Sequence, residues 1–421
     1  MTAILHDFVC TQFRQHFCEN PALTVQAPAR VNIIGEHTDY NEGFVLPCAI
    51  DFQTVIGISP RSDNAVHVVA ADYGGEHDVF ALSQNIPHHE KYLWANYVRG
   101  VVQYLYRKTT MEKFPDRVVD RFSDRNCDQI KNPECVEDSI KSQTILRGAN
   151  LCISGNVPQG SGLSSSASLE VAVCTAFNAL YDLHISQVEM ALLSQMAENR
   201  FVGCNCGIMD QLISARGEKG CALLLDCRSL ETQSVTVPDD VMVMIINSNV
   251  KRGLVDSKYN ERRLQCEAAA HFFNMKSLRD VTPDMLDKAY GIDSLLFRRA
   301  RHVISENQRT LDMVKALKER DMMAVSHLMR RSHISMRDDF EITHPAIDYL
   351  FDIISNVIGS EGGVRMTGGG FGGCVIALIP QDKVSEVIHD IDEKYLPHTG
   401  LSAAFYLCSP QEGAGLLKKF G

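Results

Sequence analysis

A run of glycines and serines at 158–167, PQGSGLSSSA, has the composition of an anion-binding loop. Glycines let the backbone approach a ligand closely, and serines cap a following helix. The free amide groups and the dipole at that helix start favour a bound phosphate. The run lacks both the G-K-[S/T] of a Walker A loop and the third glycine of G-x-G-x-x-G, so another type of phosphate loop is predicted. A Gly/Ser linker with a helix cap is the alternative.

A second candidate site follows Gly35, where Glu36, His37, Thr38 and Asp39 occupy four successive positions. An extended backbone would point these side chains to both faces, so a turn at the glycine must bring them together. Carboxylates and imidazole suit hydrogen bonds to neighbouring hydroxyls of a sugar. A metal site is less favoured, because no second carboxylate or histidine pair lies nearby at a known ligand spacing. A surface turn is the other alternative.

Asp210 is a candidate general base, because it lies between apolar residues such as Met209 and Leu212. Apolar surroundings raise the pKa of a carboxylate and a nearby cation lowers it, so the two together can tune a base. A cap at a helix start is the alternative for this residue. The neighbouring Cys204 and Cys206 supply two of the four ligands of a zinc site, so buried thiols are the preferred interpretation.

A fourth run, GVRMTGGGFGGC at 363–374, is rich in glycine. Eight of the 28 glycines lie between 359 and 373. Successive small residues indicate a close backbone approach to a ligand or to another loop. A wide hairpin is the alternative.

The elements that must position these runs are mixed in type. Helices are predicted at the N-terminus, from Ala95, over 165–183, from the capping box of Ser186 and Glu189, over most of 260–336, from His344 and over 381–395. Strands are predicted at 23–26, 31–35, 149–155, 221–227, 241–249, 374–380 and 402–408. Because strands and helices do not alternate as regular βαβ units, we predict an α+β fold in two domains that divide near 215–240.

Composition excludes several classes of partner. The 421 residues carry a net charge of -11, which argues against binding a nucleic acid. No apolar run approaches the roughly 20 residues of a membrane span. The 14 cysteines, with a first segment unlike a signal peptide, predict a protein of the reducing cytoplasm.

One segment, residues 107–147, has 17 charged residues among its 41, nine basic and eight acidic. Its Asp-Arg pairs repeat every four residues, which fits an exposed helix with ion pairs along one face. A solvated surface excursion is the preferred interpretation, and a partner-binding element is the alternative.

Together the four runs resemble the GHMP small-molecule kinases and, within them, the galactokinases. The resemblance is carried by RVNIIGEHTDYNEGFVLPCAI at 30–50, VPQGSGLSSSASLEVA at 157–172 and GVRMTGGGFGGC. It extends over roughly 20–106 and 148–410. Ala29 stands where the family usually has glycine, and the family has a much shorter connection in place of the charged segment.

The resemblance implies a two-domain GHMP kinase fold with its active site in the cleft between the domains. Residues 1–218 would form an N-terminal mixed-sheet domain, like the second domain of ribosomal protein S5, and 219–421 a ferredoxin-like α/β domain. The implied reaction transfers the γ-phosphoryl group of MgATP to the 1-hydroxyl of α-D-galactose, in galactose catabolism. The implied cofactors are ATP and Mg²⁺, and we expect a monomer with no assigned protein partner.

The resemblance also implies roles for single residues. Asp210 would take the proton of the sugar hydroxyl, and Arg30 would keep Asp210 ionised. Sugar contacts would come from Glu36, His37, Thr38, Asp39, Gly207 and Tyr259. The phosphates would lie on Gly160, Ser161, Gly162, Leu163, Ser164, Ser165 and Ser166. Ser166 and Glu198 would hold Mg²⁺, and Trp94 and Tyr97 are candidates for the adenine pocket.

Two rival functions remain open at this point. One is another sugar kinase of the same superfamily, such as an N-acetylgalactosamine kinase, because the sugar contacts do not decide the 2-position. The other is a sensor that binds galactose and ATP without turnover. Such relatives lose residues inside the ATP loop, whereas GLSSSAS is intact here.

Overall fold

Two sheets and their covering helices form the molecule. The computed structural model describes residues 2–110, 146–158, 160–250 and 255–420. The predicted charged excursion at 107–147 therefore lies outside the described residues, except for 107–110 and 146–147.

The first sheet is mixed and has eight strands. These are β1 (Leu23–Ile34), β2 (Phe44–Pro60), β3 (Ala65–Ala70), β4 (Glu76–Ala81), β5 (Ala149–Gly155), β6 (Cys221–Asp226), β7 (Thr232–Thr236) and β12 (Gly415–Lys419). The strand order is β12-β1-β2-β5-β3-β4, and β6 joins β2 and carries β7. Strands β3 and β5 are parallel, and the other pairs are antiparallel.

The second sheet is antiparallel and has the order β11-β8-β10-β9. Its strands are β8 (Val241–Asn247), β9 (Gly363–Thr367), β10 (Cys374–Pro380) and β11 (Ala404–Cys408). Helices connect β8 to β9 and β10 to β11, which is the ferredoxin-like arrangement that the family resemblance implied.

Eleven α-helices cover the sheets within the described ranges. They are α1 (Thr2–Phe17), α2 (Leu93–Thr110), α3 (Ser165–Tyr181), α4 (Gln187–Met196), α5 (Met209–Arg216), α6 (Val255–Phe272), α7 (Pro283–Asp287), α8 (Ser294–Glu319), α9 (Met322–Asp338), α10 (Pro345–Ile358) and α11 (Val384–Thr399). None of these described helices is both long and apolar enough to span a membrane.

Local signals placed several helix starts correctly. Ser186 and Glu189 form the predicted capping box, in which each side chain accepts a hydrogen bond from the other residue's backbone amide. His344 caps α10, and Pro345 occupies its first turn, where a missing amide proton costs nothing.

Long-range strand pairing departs from the prediction in two places. The predicted strands at 23–26 and 31–35 form one strand, β1, whose pairing with β2 shifts register between Pro28 and Arg30. Strands β2, β3, β4, β7, β9 and β12 were not predicted, because hydrogen bonds to neighbouring strands make these residues extended.

Three large hydrophobic cores hold the layers together. One lies between the first sheet and α2, α3 and α4, and another lies around β8, β10 and α10. The third contains Ile33 and Leu46 of the first sheet together with Ile245 and Ile376 of the second, so the two sheets share apolar side chains.

The predicted division of the chain at residue 218 stays a prediction, and strand pairing does not follow it. Strands β6 and β7 lie after that residue but attach to β2. The last strand, β12, pairs with β1, so the chain returns to the first sheet after completing the second.

Candidate active site

A cavity of about 510 Å³ contains residues from most of the predicted runs. Of the predicted site residues, those that line it are Arg30, Glu36, His37, Asp39, Tyr97, Gly160, Gly162, Leu163, Ser164, Ser165, Ser166, Glu198, Asp210 and Tyr259. Thr38, Trp94, Ser161 and Gly207 lie outside this cavity.

Arg30 and Asp210 form a bidentate ion pair, and both residues line the cavity. Arg30 projects from β1, and Asp210 lies in the first turn of α5. The Nε and Nη2 atoms of Arg30 donate to Oδ1 and Oδ2 of Asp210 at 2.6 and 2.7 Å. Burial lowers the pKa of Arg30, but the Asp210 carboxylate more than offsets this and the net shift is upward. The guanidinium therefore stays charged and keeps a cation beside the carboxylate, as predicted.

The same arginine connects the carboxylate to the phosphate loop. Arg30 Nη1 donates to the carbonyl of Gly162 at 2.8 Å, and the hydroxyl of Ser164 donates to Asp210 Oδ2. The loop and the candidate base are therefore parts of one hydrogen-bonded group.

The predicted turn occurs at Gly35, whose φ is +97°. A Cβ at this position would lie 2.7 Å from the carbonyl oxygen of Phe44, so no other residue fits without a shift. The Thr38 hydroxyl donates to the carbonyls of Gly35 and Phe44 at 2.8 and 2.6 Å. Thr38 therefore closes the turn from inside, and the structure does not bring it to the cavity as predicted.

Glu36 ties this turn to the glycine-rich run. Its carboxylate accepts hydrogen bonds from Arg365 Nη2, from the Gly368 amide at 2.8 Å and from Asn32 Nδ2 at 3.1 Å. Burial raises the pKa of Glu36, and Arg365 opposes that rise. The close backbone approach predicted for the glycine run is thus partly an approach to the turn, although Gly369 also lines the cavity.

His37 is buried in the neutral form. Its Nδ1 lies 2.7 Å from the Tyr40 hydroxyl, and its ring centroid lies 5.0 Å from that of Phe340 and 5.1 Å from that of Tyr259. Burial, and next the nearby His302, lower the pKa of His37 to about 3. The imidazole therefore offers hydrogen bonds without a charge at neutral pH.

Asp39 is a carboxylate of the cavity with a strongly shifted pKa. Burial, and next the charge of Asp210, raise the pKa of Asp39 to about 7. Gly207 packs directly against it, because a Cβ there would lie 1.8 Å from Asp39 Oδ2. Gly207 lines a neighbouring cavity of about 130 Å³, which Asp39 separates from the main one.

The phosphate loop has the backbone predicted from its composition. Gly160 and Gly162 have φ angles of +69° and +84°, and α3 begins at Ser165. The side chain of Ser161 is buried and donates to the carbonyl of Pro158 at 2.6 Å, so its hydroxyl stabilises the loop from behind.

Glu198 lies in a π-helical turn, Ala197–Val202, that continues α4. Its Oε2 accepts from Gln211 Nε2 at 2.6 Å and from the Cys206 thiol at 3.3 Å. Burial, and next Asp210, raise the pKa of Glu198 to about 7. Glu170, a second buried carboxylate, lies behind it and shares the Gln211 amide at 3.2 Å.

Oxygen donors that fit a divalent cation therefore meet at this point. The Ser166 hydroxyl lies close enough to the Glu198 carboxylate to lower the pKa of Glu198, and both residues line the same cavity. Among the described residues, no cationic side chain forms an ion pair with Glu198. Hard oxygen ligands of this kind suit Mg²⁺, which keeps several of its waters and takes few protein ligands.

The two candidate adenine residues lie one helical turn apart on α2. Tyr97 lines both the main cavity and an adjoining cavity of about 330 Å³, which also contains Ser165, Ser166 and Trp94. The Trp94 ring is stacked 6.5 Å from that of Tyr73, and its Nε1 donates to Glu76 at 2.8 Å. An aromatic cavity beside the phosphate loop has the shape and chemistry that a nucleobase needs.

The sequence reasoning missed residues that support the turn from the second half of the chain. Glu306 of α8 accepts from the amides of Gly35 and Glu36 at 3.0 and 3.3 Å. Burial raises the pKa of Glu306, but Arg309 and other cations hold it at about 2. Arg365 could have been found from the sequence, because a charged residue between the apolar Val364 and Met366 indicates a buried ion pair. Glu306 gave no such signal, because it lies among the other polar residues of a helix.

Replacing Arg365 by Met should leave Glu36 buried without its cation. Breaking one side of a buried pair typically costs about 3–5 kcal/mol. We expect a loss of this size in the free energy of unfolding measured with urea.

Glu36→Gln combined with Arg365→Met is the matched control, because it removes both charges and should recover part of the loss. Equal destabilisation in the single and double variants would contradict the ion-pair interpretation.

Comparisons with known proteins identify the family of this chain. The galactokinase galactose-binding signature matches residues 11–60, the GHMP kinase N-terminal domain 132–218 and the GHMP kinase C-terminal domain 313–397. The crystal structure of Lactococcus lactis galactokinase complexed with galactose is 31% identical, with a TM-score of 0.83, and the match covers 98% of this chain and 99% of that chain.

More distant structures share the fold alone. Methanococcus jannaschii mevalonate kinase is 17% identical with a TM-score of 0.58, and the match covers 93% of this chain and 99% of that chain. The two-domain GHMP fold predicted from the sequence is confirmed. By its signature and its full-length similarity to a solved member, this chain belongs to the galactokinase family of the GHMP kinases.

Proposed function

We propose that this chain transfers the γ-phosphoryl group of ATP to the 1-hydroxyl of α-D-galactose, giving galactose 1-phosphate and ADP. Its family membership makes it an ATP-dependent sugar kinase. The observation that carries the proposal is the bidentate ion pair of Arg30 and Asp210. It lines one cavity together with the loop at 160–166 and the turn at 36–39.

The proposed reaction depends on position and charge. Phosphoryl transfer needs little covalent chemistry from the protein, so holding the two substrates in line supplies most of the catalysis. Asp210 accepts the proton of the attacking hydroxyl. Arg30, fixed by Asp210 and by the Gly162 carbonyl, offsets the negative charge that develops in the transition state.

Galactose is proposed to lie against the turn that follows Gly35. Glu36, His37 and Asp39 line the cavity, and Tyr259 lines it beside His37. Glu36 keeps acceptor capacity for a sugar hydroxyl, because its Oε1 accepts a single hydrogen bond from the described residues, that of the Gly368 amide. Gly207 is proposed to act only through its backbone, next to Asp39.

ATP is the phosphate donor of the GHMP kinases, and its phosphates are proposed to lie on the loop amides of 160–166. The adenine would enter the cavity between Trp94 and Tyr97. Ser166 and Glu198 would hold Mg²⁺, which neutralises charge on the phosphates when bound.

We also propose a monomer in the cytoplasm that acts on small molecules, in keeping with the cysteine-rich composition.

The first test is ADP release from MgATP, measured by a coupled assay with galactose, glucose, N-acetylgalactosamine and mevalonate. We expect turnover with galactose and only background release with the others. Comparable turnover with N-acetylgalactosamine would make the chain a broader or different sugar kinase. Saturable galactose binding without turnover would favour a sensor.

Asp210→Asn should lower kcat by about 10²–10⁴-fold, the usual contribution of a general base. The substitution keeps the shape of the side chain, so galactose affinity measured by calorimetry should change only a few-fold. Arg30 loses its anionic partner in this variant, so thermal unfolding is measured to check that the protein still folds. A kcat within about tenfold of the wild type would contradict the assignment.

The raised pKa of Asp39 predicts a pH dependence of galactose binding. Because the pKa of Asp39 is about 7, the carboxylate gains its charge, and its full acceptor capacity, as pH rises from 6 to 8. We expect the galactose KM to fall over that range.

Glu198 also has a pKa of about 7, so a pH dependence in this range does not by itself identify Asp39. Asp39→Asn is the control that separates the two groups. The variant should bind galactose more weakly at all pH values and lose the Asp39 component of the profile. An unchanged profile would assign the titration to another group.

A further inference from the structure

Ser164 belongs to the phosphate loop, but its hydroxyl donates a hydrogen bond to Oδ2 of Asp210. The residue immediately precedes α3, and its side chain does not cap that helix. Its backbone has φ 60° and ψ 56°, a left-handed conformation that is uncommon for a residue other than glycine. Backbone strain of this kind persists only where the surrounding structure imposes it. The fold therefore holds this serine against the carboxylate.

The acceptor positions of Asp210 are mostly taken in this arrangement. Oδ1 accepts from Arg30 Nε, and Oδ2 accepts from both Arg30 Nη2 and Ser164. A carboxylate oxygen offers about two acceptor sites, so Oδ2 is full. Arg30 is held by a further bond to Gly162, whereas the serine hydroxyl can rotate about a single bond. Ser164 is therefore the donor that can release Oδ2 of Asp210.

A second acceptor for the same hydroxyl would come with the nucleotide. Ser164 lines the cavity together with Gly160, Ser165 and Ser166, whose amides are proposed to hold the phosphates. A serine hydroxyl has one proton to donate, so it bonds either to the carboxylate or to a phosphate oxygen. Both acceptors are anionic, so the exchange replaces one charge-assisted hydrogen bond by another.

We propose that Ser164 couples ATP binding to the acceptor site on Asp210. Without nucleotide, its hydroxyl occupies Oδ2; with ATP bound, the hydroxyl turns to a phosphate oxygen and Oδ2 opens to the sugar hydroxyl. Ser164 is a positioning residue in this scheme, and Asp210 remains the group that takes the proton. The inference rests on the proposed function, because it concerns the same site. By linkage, sugar and nucleotide each tighten the binding of the other by the same factor.

Calorimetry of galactose binding with and without Mg·AMP-PNP tests the coupling. In the wild type, we expect AMP-PNP to lower the galactose Kd by about tenfold, within the usual range for coupled sites. In Ser164→Ala the ratio of the two Kd values should fall to about 1, because the hydroxyl that blocks Oδ2 is gone. Ser164→Gly should lose the coupling equally while tolerating the left-handed backbone.

Ser165→Ala is the matched control, since it changes the next serine of the loop without touching Asp210. It should weaken AMP-PNP binding and keep the wild-type ratio. A wild-type ratio in both Ser164 variants, or a ratio of about 1 in the wild type, would overturn the inference. If Ser164→Ala shows no cooperative unfolding transition, that variant is not folded. The ratio of Kd values in Ser164→Gly then tests the inference.

The same wild-type preparation is assayed for phosphorylation of galactose, which separates the two proposals. Turnover of galactose together with unaltered coupling in the Ser164 variants would reject the switch and leave the proposed function standing. No turnover of galactose would reject the proposed function and this inference with it.

Discussion

The buried ion pair between Arg365 and Glu36 is the contact on which the geometry of the cavity depends. Removing two charges from water costs several kcal/mol for each ion, so such a pair persists only where further hydrogen bonds surround it. Arg365 Nη1 donates to the carbonyls of Asn32 and Ile33 at 2.9 and 3.0 Å, and Gly368 donates to Glu36. A strand of the second sheet is thereby bonded to β1 and to the turn at Gly35.

Four carboxylates share the cavity, and the structure gives each a different partner. Asp210 has a guanidinium and a serine, Glu36 has a guanidinium and an amide, and Glu198 has the neutral amide of Gln211. Asp39 has a pKa raised by burial and, next, by the charge of Asp210. Burial and a neighbouring negative charge raise the pKa values of both Asp39 and Glu198.

Much of the local structure could be predicted from the sequence. The capping box at Ser186, the cap at His344 and the phosphate loop all depend on residues within a few positions of each other. The hairpin of β3 and β4, the long β2 and the return of β12 could not be predicted in the same way. Their extended conformation comes from hydrogen bonds to strands far away in the chain, which composition does not reveal.

The sequence by itself determined the residue types of the site, the turn at Gly35 and the positive φ angles of the loop glycines, because steric limits on φ and ψ act within a residue and its neighbours. Only the tertiary structure decided which charges meet. Arg30 and Asp210 are 180 positions apart, and Arg365 and Glu36 are 329 apart. It also kept Thr38 out of the cavity and brought Glu306 behind the turn. Pairing and burial of charges depend on packing between distant segments, so no local pattern encodes them.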